Sequence, residues 1–504
     1  MMKSSALKRL GLVSALSVFS VSAAVSAQVA EPDTAQWTHV QNGEVFTVDN
    51  GPGTGALSYR VHWDELVLNE EVNGKASTIS GTSYFCDCGE RADRPVMFLF
   101  NGGPGASSSP LHFALGPRLR GETGAPFESN ADTILPLVDL VFIDPVETGY
   151  SRAASDDGES RFLGVAGDVE AVDAFIHAWT VEHGREASPV FITGQSYGGF
   201  RLSTLTSKLE DMDVAGLVMV SPAINMAADN GDETSVFTLP TMAATAWRFG
   251  KSDIEAATEA EAWETARAFA ETGYLVALQQ GDLIGAADKV AIAQKLAGMT
   301  GLSVELVEDS DLRVDIQDFL ENVLADENKL VSRLNTAVTQ EKRPPANPDR
   351  PDGANDPSLG LGRSNKIISE DIGAYLKAIT GLEREDGYRS LNLDANFAWD
   401  WRDDVEGNPF SFSAAPRLSA YLRENEDVSL LVFGGYRDLA VPLLKTQYIL
   451  THSGLPQDRV ELVAVESGHS PFDEDGTRAA FADRLEAFVK AALDRREAGQ
   501  GAGQ

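Results

Sequence analysis

The chain has 504 residues, room for one large α/β domain with an insertion or for roughly two or three ordinary domains. Its 41 Lys and Arg stand against 76 Asp and Glu, a formal net charge of −35, which excludes nucleic-acid binding because a phosphate-reading surface must be basic. Hydrophobic residues make up 43%, a globular composition and not a disordered or fibrous one. The N-terminus carries Lys3, Lys8 and Arg9, then an apolar stretch over residues 10–25 and the small-residue sequence Val25-Ser26-Ala27. This predicts a secretory signal peptide over 1–27, cut after Ala27. An uncleaved anchor is the lesser alternative, since the stretch is short and rich in Ser and Ala. The mature protein is therefore expected to be exported, periplasmic or secreted, and away from the membrane.

Residues 28–36 read as a flexible leader. From 37 to 94, short runs over 45–48, 57–61 and 77–85 are broken by Asn-Gly and Gly-Pro turns and predict antiparallel strands joined by hairpins. Cys86 and Cys88 are the only cysteines. A bridge across one residue closes too small a loop to stabilise the fold much, and Cys-x-Cys without further Cys or nearby His is a weak metal signal. No metal and no cofactor are expected. Residues 96–100 are wholly apolar, which suits a buried central strand running into Asn101-Gly102-Gly103-Pro104-Gly105-Ala106-Ser107-Ser108. A strand follows over 137–143, then a helix over 161–183 with Val165, Val169, Val172, Phe175, Ile176 and Trp179 on one face.

Residues 189–200 begin as a β-branched apolar run and turn sharply at Gly194-Gln195-Ser196-Tyr197-Gly198 into helix-forming sequence. Strand, tight turn and helix around G-x-S-x-G is the context of a nucleophile elbow. Any Cβ at Gly194 or Gly198 would collide with neighbouring backbone, and the N–H of Tyr197 can face a developing oxyanion. The bland reading, a serine that merely caps a helix, weakens once the later residues are considered.

A further strand lies over 217–222, and strands alternating with helices imply a mainly parallel sheet. From 253 to 334 the pattern is helical, acidic and Ala-rich. One helix is expected over 286–297, with Val290, Ala293 and Ala297 on a stripe and Gly298 ending it. Residues 343–363 form an irregular connection. Strands return at 428–433 and 460–465, before a last helix over 477–495. The fold class is α/β, an α/β-hydrolase fold in which helices flank a mainly parallel central sheet and a mostly helical insertion forms a lid. The expected divisions are core 28–226, insertion 227–394, core 395–495 and a disordered tail 496–504.

A serine nucleophile needs a base, and the base an orienting acid. In this architecture they follow in the order Ser, Asp, His. Asp438 sits in Gly434-Gly435-Tyr436-Arg437-Asp438-Leu439, just past a buried strand, and His469 in Glu466-Ser467-Gly468-His469-Ser470-Pro471, just past the last one. Each alone is weak, but both in order after an elbow are hard to obtain by chance. His452 is the nearest rival base but lies in a predicted helix. His39, His62, His112, His177 and His183 all precede the serine. The loop 101–105, placed after an early strand, supplies the second oxyanion donor.

Together these motifs resemble the serine carboxypeptidases: the run from Asn101 to Ser108, the elbow Gly194-Gln195-Ser196-Tyr197-Gly198-Gly199, and late Asp438 and His469. Asp144-Pro145-Val146-Glu147-Thr148-Gly149-Tyr150-Ser151 resembles a fourth family block, with Glu147 where glycine is usual. The resemblance covers the core and only loosely the insertion. It implies catalysis by Ser196, Asp438 and His469, oxyanion donors at Gly103 and Tyr197, and recognition of the substrate's C-terminal carboxylate by Asn101 and the residue before the nucleophile. That residue, a glutamate in the family, is Gln195 here, whose amide donates at any pH. A second family glutamate, in Glu-x-Gly-Pro, is replaced in Ala114-Leu115-Gly116-Pro117. Arg118 and Arg120 just downstream read as solvated surface residues.

The expected activity is an exported serine carboxypeptidase releasing C-terminal residues through an acyl-enzyme, with peptides as its partners. The alternatives are a proline-type aminopeptidase, an esterase or an acyltransferase on the same core. A non-catalytic binding protein is less compatible with an intact triad.

Overall fold

The computed structural model describes residues 37–502 apart from 50–54, 73, 90–92, 122–124, 156–159, 227–230 and 403–412; the expected signal peptide lies outside the described residues. Strands β1 (Trp37–Val40), β2 (Phe46–Asp49), β3 (Ala56–Val72) and β4 (Lys75–Cys86) form an antiparallel wing. Cys86 and Cys88 are joined at its end. Six strands continue the same sheet in parallel: β5 (Val96–Phe100), β6 (Asp139–Asp144), β7 (Val190–Gln195), β8 (Val214–Val220), β9 (Ser429–Gly435) and β10 (Val460–Val465). The order across the sheet is β1-β3-β4-β6-β5-β7-β8-β9-β10, with β2 on β3.

The uninterrupted apolar runs follow from burial on both faces. Successive side chains of a strand point to opposite sides. Phe98 and Phe100 enter one core while Met97 and Leu99 enter the other, and Leu430 and Val432 alternate likewise with Leu431 and Phe433. Helix α1 (Val165–Glu182) covers the first core with Val165, Val169, Val172, Phe175, Ile176 and Trp179, the stripe expected from its period. The second face is covered in part by the last helix, through Phe481, Leu485 and Phe488. From β5 the chain steps to one side, into β6, then crosses to the other, into β7. The carboxyl ends of β5 and β7 thus flank the point where the order reverses, where ligands bind in such sheets.

The insertion begins with α2 (Asp232–Arg248), α3 (Glu259–Phe269) and α4 (Ala286–Thr300), and adds two small antiparallel strand pairs, Lys329–Val331 with Thr339–Glu341 and Lys366–Ile368 with Arg389–Asn392. Its own apolar cluster takes in Leu439, Leu443 and Leu444, residues that follow β9. Three sequence expectations need correction. Helix α4 does not stop at Gly298 but continues to Thr300, where Gly301, at φ 71°, closes it by donating to Ala297 O. A Cβ on Gly298 would come within 2.2 Å of Asp253 Oδ2, so this glycine allows a close approach and is not a terminator. Val290 is exposed, the buried stripe running instead through Ala293, Leu296, Ala297 and Met299. The last helix, α6 (Asp475–Ala502), extends through most of the tail expected to be disordered, its Ala, Glu and Arg content outweighing the scattered glycines. Helix α5 (Leu443–His452) lies between β9 and β10. Among the described residues no helix is long and apolar enough to cross a membrane.

Candidate active site

Ser196 follows β7 directly and opens the elbow helix Tyr197–Leu205, with φ 59° and ψ −125°. A non-glycine residue held there is strained by about 1–3 kcal/mol and persists only if its surroundings fix it. They do: Ser196 N donates to Val220 O at 2.9 Å, while Ser196 O accepts from Gly199 N at 2.8 Å and Ala223 N at 3.0 Å. A Cβ on Gly194 would lie 2.2 Å from Gly198 O, so the turn closes only without one. Within residues 190–200 the serine alone is not fully buried.

The loop after β5 lies against this elbow. A Cβ on Gly102 would meet Tyr197 N at 2.4 Å and Gly198 N at 2.7 Å. Gly103, at φ 102°, precedes a cis bond to Pro104. The loop's backbone and the first N–H groups of the elbow helix are therefore neighbours, which is what a two-donor oxyanion cradle requires.

Asp438 and His469 come together from the ends of β9 and β10. Nδ1 of His469 lies 2.7 Å from Oδ2 of Asp438, which is fully buried. Asp438 Oδ1 accepts from the backbone N–H of Ala440 at 2.8 Å and of Val441 at 2.9 Å, which fixes the carboxylate's orientation. The rival His452 ends α5, bonds Tyr448 O at 2.9 Å and stacks on the Tyr448 ring. His112, just past the glycine loop, is held neutral: burial drives it down to about 3, and it bonds Tyr84 OH at 2.6 Å.

Gln195 ties the elbow to the histidine loop. Its Nε2 donates to His469 O at 3.1 Å and to Ser470 Oγ at 2.9 Å, and its Oε1 accepts from Asn101 Nδ2. Both amide hydrogens expected to greet a substrate carboxylate are thus engaged within the protein. Asn101 gives one amide hydrogen to Gln195. Arg118 donates to Thr47 O at 3.0 Å, and Arg120 grips Asp371 through Nε at 2.7 Å and Nη2 at 3.0 Å, an ion pair where a solvated side chain was expected. Beside His469, Asp473 is pushed up to about 6 by burial, against the pull of the histidine's charge.

Several supporting residues carry no signal in the sequence. Arg201, fully buried under the Tyr197 ring, donates through Nε to Asp168 Oδ2 at 2.6 Å and through Nη1 to Asn101 O. Arg437, next to the acid, makes a buried pair with Glu259 of α3, with Nε–Oε1 at 2.9 Å and Nη2–Oε2 at 2.7 Å. The insertion segment 333–336 bonds the loops of both Asp438 and His469: Leu439 N to Arg333 O at 2.9 Å, Thr336 N to Arg437 O at 3.0 Å, and His469 N to Leu334 O at 2.7 Å. Sequence order places Glu259 and this segment far from Asp438 and His469, and only the folded insertion brings them there. Glu147 takes φ 69°, which accounts for glycine being usual at its place, and its carboxylate bonds Ala153 N and Asn392 Nδ2, both at 3.0 Å.

Residues 84–228 match the family model of the serine carboxypeptidases, peptidase family S10. No curated protein matches the chain. Among solved structures, Kex1Δp, a prohormone-processing carboxypeptidase from Saccharomyces cerevisiae, aligns at 15% identity over 90% of this chain and 92% of its own, with a TM-score of 0.45. The esterase RhEst1 from a Rhodococcus species aligns at 17% identity over 84% and 97%, TM-score 0.34. A thermostable carboxyl esterase from Bacillus coagulans aligns at 11% identity over 86% and 99%, TM-score 0.36.

Proposed function

We propose that this chain, whose residues 84–228 match the family model of the serine carboxypeptidases, is an exported enzyme releasing C-terminal residues from peptides by a Ser-His-Asp acyl-enzyme route. The observation that carries the reading is the constellation itself. Ser196 is held at φ 59° on an elbow, the side chain of Gln195 before it donates to His469 O at 3.1 Å, and His469 Nδ1 is 2.7 Å from a buried carboxylate. Ser196 Oγ attacks the scissile carbonyl carbon as His469 Nε2 takes its proton, and the N–H groups of Gly103 and Tyr197 receive the oxyanion. His469 passes the proton to the departing amine, which leaves as the released residue. Water, deprotonated by the same nitrogen, then attacks the acyl-enzyme, and the proton returns to Ser196. Asp438 holds the imidazole in the tautomer this cycle needs.

The chemistry is that of a serine hydrolase, and the family match over residues 84–228 supports the carboxyl end. Asn101 has a second amide hydrogen for the substrate's carboxylate, while Gln195 acts chiefly by fixing Asn101 and the His469 loop to each other. The N-terminal charged and apolar segments support export. The test is mass spectrometry of digests of matched peptides with free or amidated C-termini, with Ser196→Ala as the blank. Release of single C-terminal residues from free-ended peptides alone is expected. Equal cleavage of the amidated set would replace this reading with a broader acyl hydrolase, and trimming from the amino end would replace it with an aminopeptidase.

A further inference from the structure

The antiparallel wing carries a cluster that the serine chemistry does not use. Of the chain's seven histidines, His39, His62 and His183 come together, each offering one ligating nitrogen, and these nitrogens all lie within 4.8 Å of one another. The sheet register explains the meeting. His39 of β1 pairs with Asp64 of β3, and His62 of β3 pairs with Ser83 of β4. His62 and Asp64 are two residues apart on one strand and so share a face with both partners. Helix α1 lies over that face, and His183, the residue that ends it, completes the group.

Asp64 sits beneath the rings with no exposed surface, one oxygen to each of two of them. Its Oδ1 is 2.7 Å from His39 Nδ1 and its Oδ2 is 3.1 Å from His183 Nε2. A carboxylate accepts only, so it takes a hydrogen bond from each of those two nitrogens. A carboxylate behind a histidine in this way orients the ring and raises the basicity of its other nitrogen, the arrangement that supports metal-bound histidines. His62 and His183 are nearly buried, while His39 is 27% exposed and forms the mouth of the site.

We propose that His39, His62 and His183 bind one divalent transition-metal ion, Zn²⁺ by its fit, with Asp64 as the orienting carboxylate and solvent in the fourth position. Three imidazole nitrogens and a water suit a borderline ion and not Ca²⁺ or Mg²⁺, which take oxygen ligands. Zn–N bonds of ~2.05 Å put tetrahedral nitrogens ~3.4 Å apart, so each nitrogen needs to move inward by at most about 0.8 Å. Small ring rotations suffice. The ion would pin the first strand of the sheet and β3 to the end of α1. Strands β4, β6 and β5 stand between β3 and β7, the strand leading to Ser196, so its role is to hold the wing and not to join the serine's reaction.

The experiment titrates Zn²⁺, by calorimetry, and Co²⁺, by visible absorption, into the chelator-treated full mature chain. The expected result is one ion per chain, the d–d bands of a four-coordinate Co²⁺ and a higher melting temperature with metal. His39→Gln and His183→Gln should each weaken binding at least tenfold, and Asp64→Asn by roughly 10- to 100-fold while the Co²⁺ bands persist. Circular dichroism confirms that each variant is folded. Should the buried-site variants unfold, the half-exposed His39→Gln alone decides. Absence of stoichiometric uptake by the folded wild type, or uptake undiminished in His39→Gln, overturns the assignment. Neither result depends on which peptide or ester Ser196 attacks.

Discussion

Substituting Asp438→Asn tests the triad at one atom pair. Asp438 Oδ1 accepts two backbone N–H groups, from Ala440 and Val441, and Oδ2 faces Nδ1 of His469 at 2.7 Å. An amide at this place has only one acceptable orientation. Its oxygen must take the Oδ1 position, because an NH₂ there would set donors against donors. The NH₂ then faces His469, whose Nδ1 must accept, so the ring carries its proton on Nε2. A histidine in that tautomer cannot take a proton from Ser196. The fold should survive, since the variant is nearly isosteric and keeps both backbone bonds. The loss should be roughly 10⁴-fold in kcat, as for tautomer inversion in other serine triads, or about 5.5 kcal/mol of barrier. It should fall almost wholly on kcat, because the carboxylate serves the transition state and not substrate binding. Steady-state kinetics on a free-ended peptide, with unfolding curves as the control, measures it. A kcat within tenfold of wild type, or a loss carried by KM, would refute the assignment of Asp438.

Two further perturbations probe what surrounds the triad. Glu259→Ala leaves the buried Arg437 guanidinium only Glu474, an exposed carboxylate 3.5 Å from Nη1, and should cost up to about 3–5 kcal/mol in urea unfolding, whereas replacing both residues by methionine should recover most of it; a loss below about 1 kcal/mol in the single variant would show the pair to be solvated or replaced by Glu474. Asp144, whose carboxyl is raised by burial to about 6 from its ordinary 3.8, binds a proton more readily folded than unfolded, so its contribution of about 3 kcal/mol is complete below pH ~3.8 and disappears as pH rises through ~6. Asp144→Asn should flatten that part of the stability–pH curve, and an unchanged slope between pH 4 and 6.5 in the variant would show that another group carries it.

The elements nearest the chemistry were the most legible in the sequence because their constraints are local. A strand buried on both faces must be apolar throughout, which marked β5, β7, β8 and β9. The elbow's glycines are dictated by contacts within a few residues of Ser196. Asp438 and His469 were found by order along the chain and by the strands before them. What was illegible depends on distant segments. Nothing around Gln195 reveals that its amide would be taken up by His469 O and Ser470 Oγ. Likewise Glu259 reads as one more acid on an Ala-rich helix until the fold sets it against Arg437. Helix ends were misjudged where a glycine served packing, as at Gly298, and not termination. His39, His62 and His183 escaped notice because strand register, not sequence spacing, unites them.

The insertion bonds the loops that carry Asp438 and His469. The acid and the base stand on loops of different strands, and the β9–β10 pairing ends at Gly435 and Val465, before either residue. Beyond that point two backbone bonds still join the loops directly, Tyr436 N to Val465 O at 3.0 Å and Arg437 N to Ser467 O at 2.9 Å. The segment 333–336 adds a second tie: its carbonyls and amides bond residues 437 and 439 on one side and 469 on the other. A Cβ on Gly468 would meet Leu334 O and Asn335 Cβ, each at 2.5 Å, so the histidine loop is drawn as close to this segment as backbone allows. The segment is itself anchored. Ser332 Oγ donates to Asp356 Oδ1 at 2.6 Å and accepts from the N–H of Leu334 and Asn335, while Arg333 N donates to Asp356 Oδ2. The Thr336 hydroxyl bonds that of Thr245, on α2, at 2.6 Å. A catalytic hydrogen bond tolerates an error of about 0.5 Å before its geometry degrades. The segment adds three backbone bonds to those that join the two loops directly, so loosening Asp356 or Thr336 should lower kcat with the core still folded, as steady-state kinetics beside unfolding curves would show.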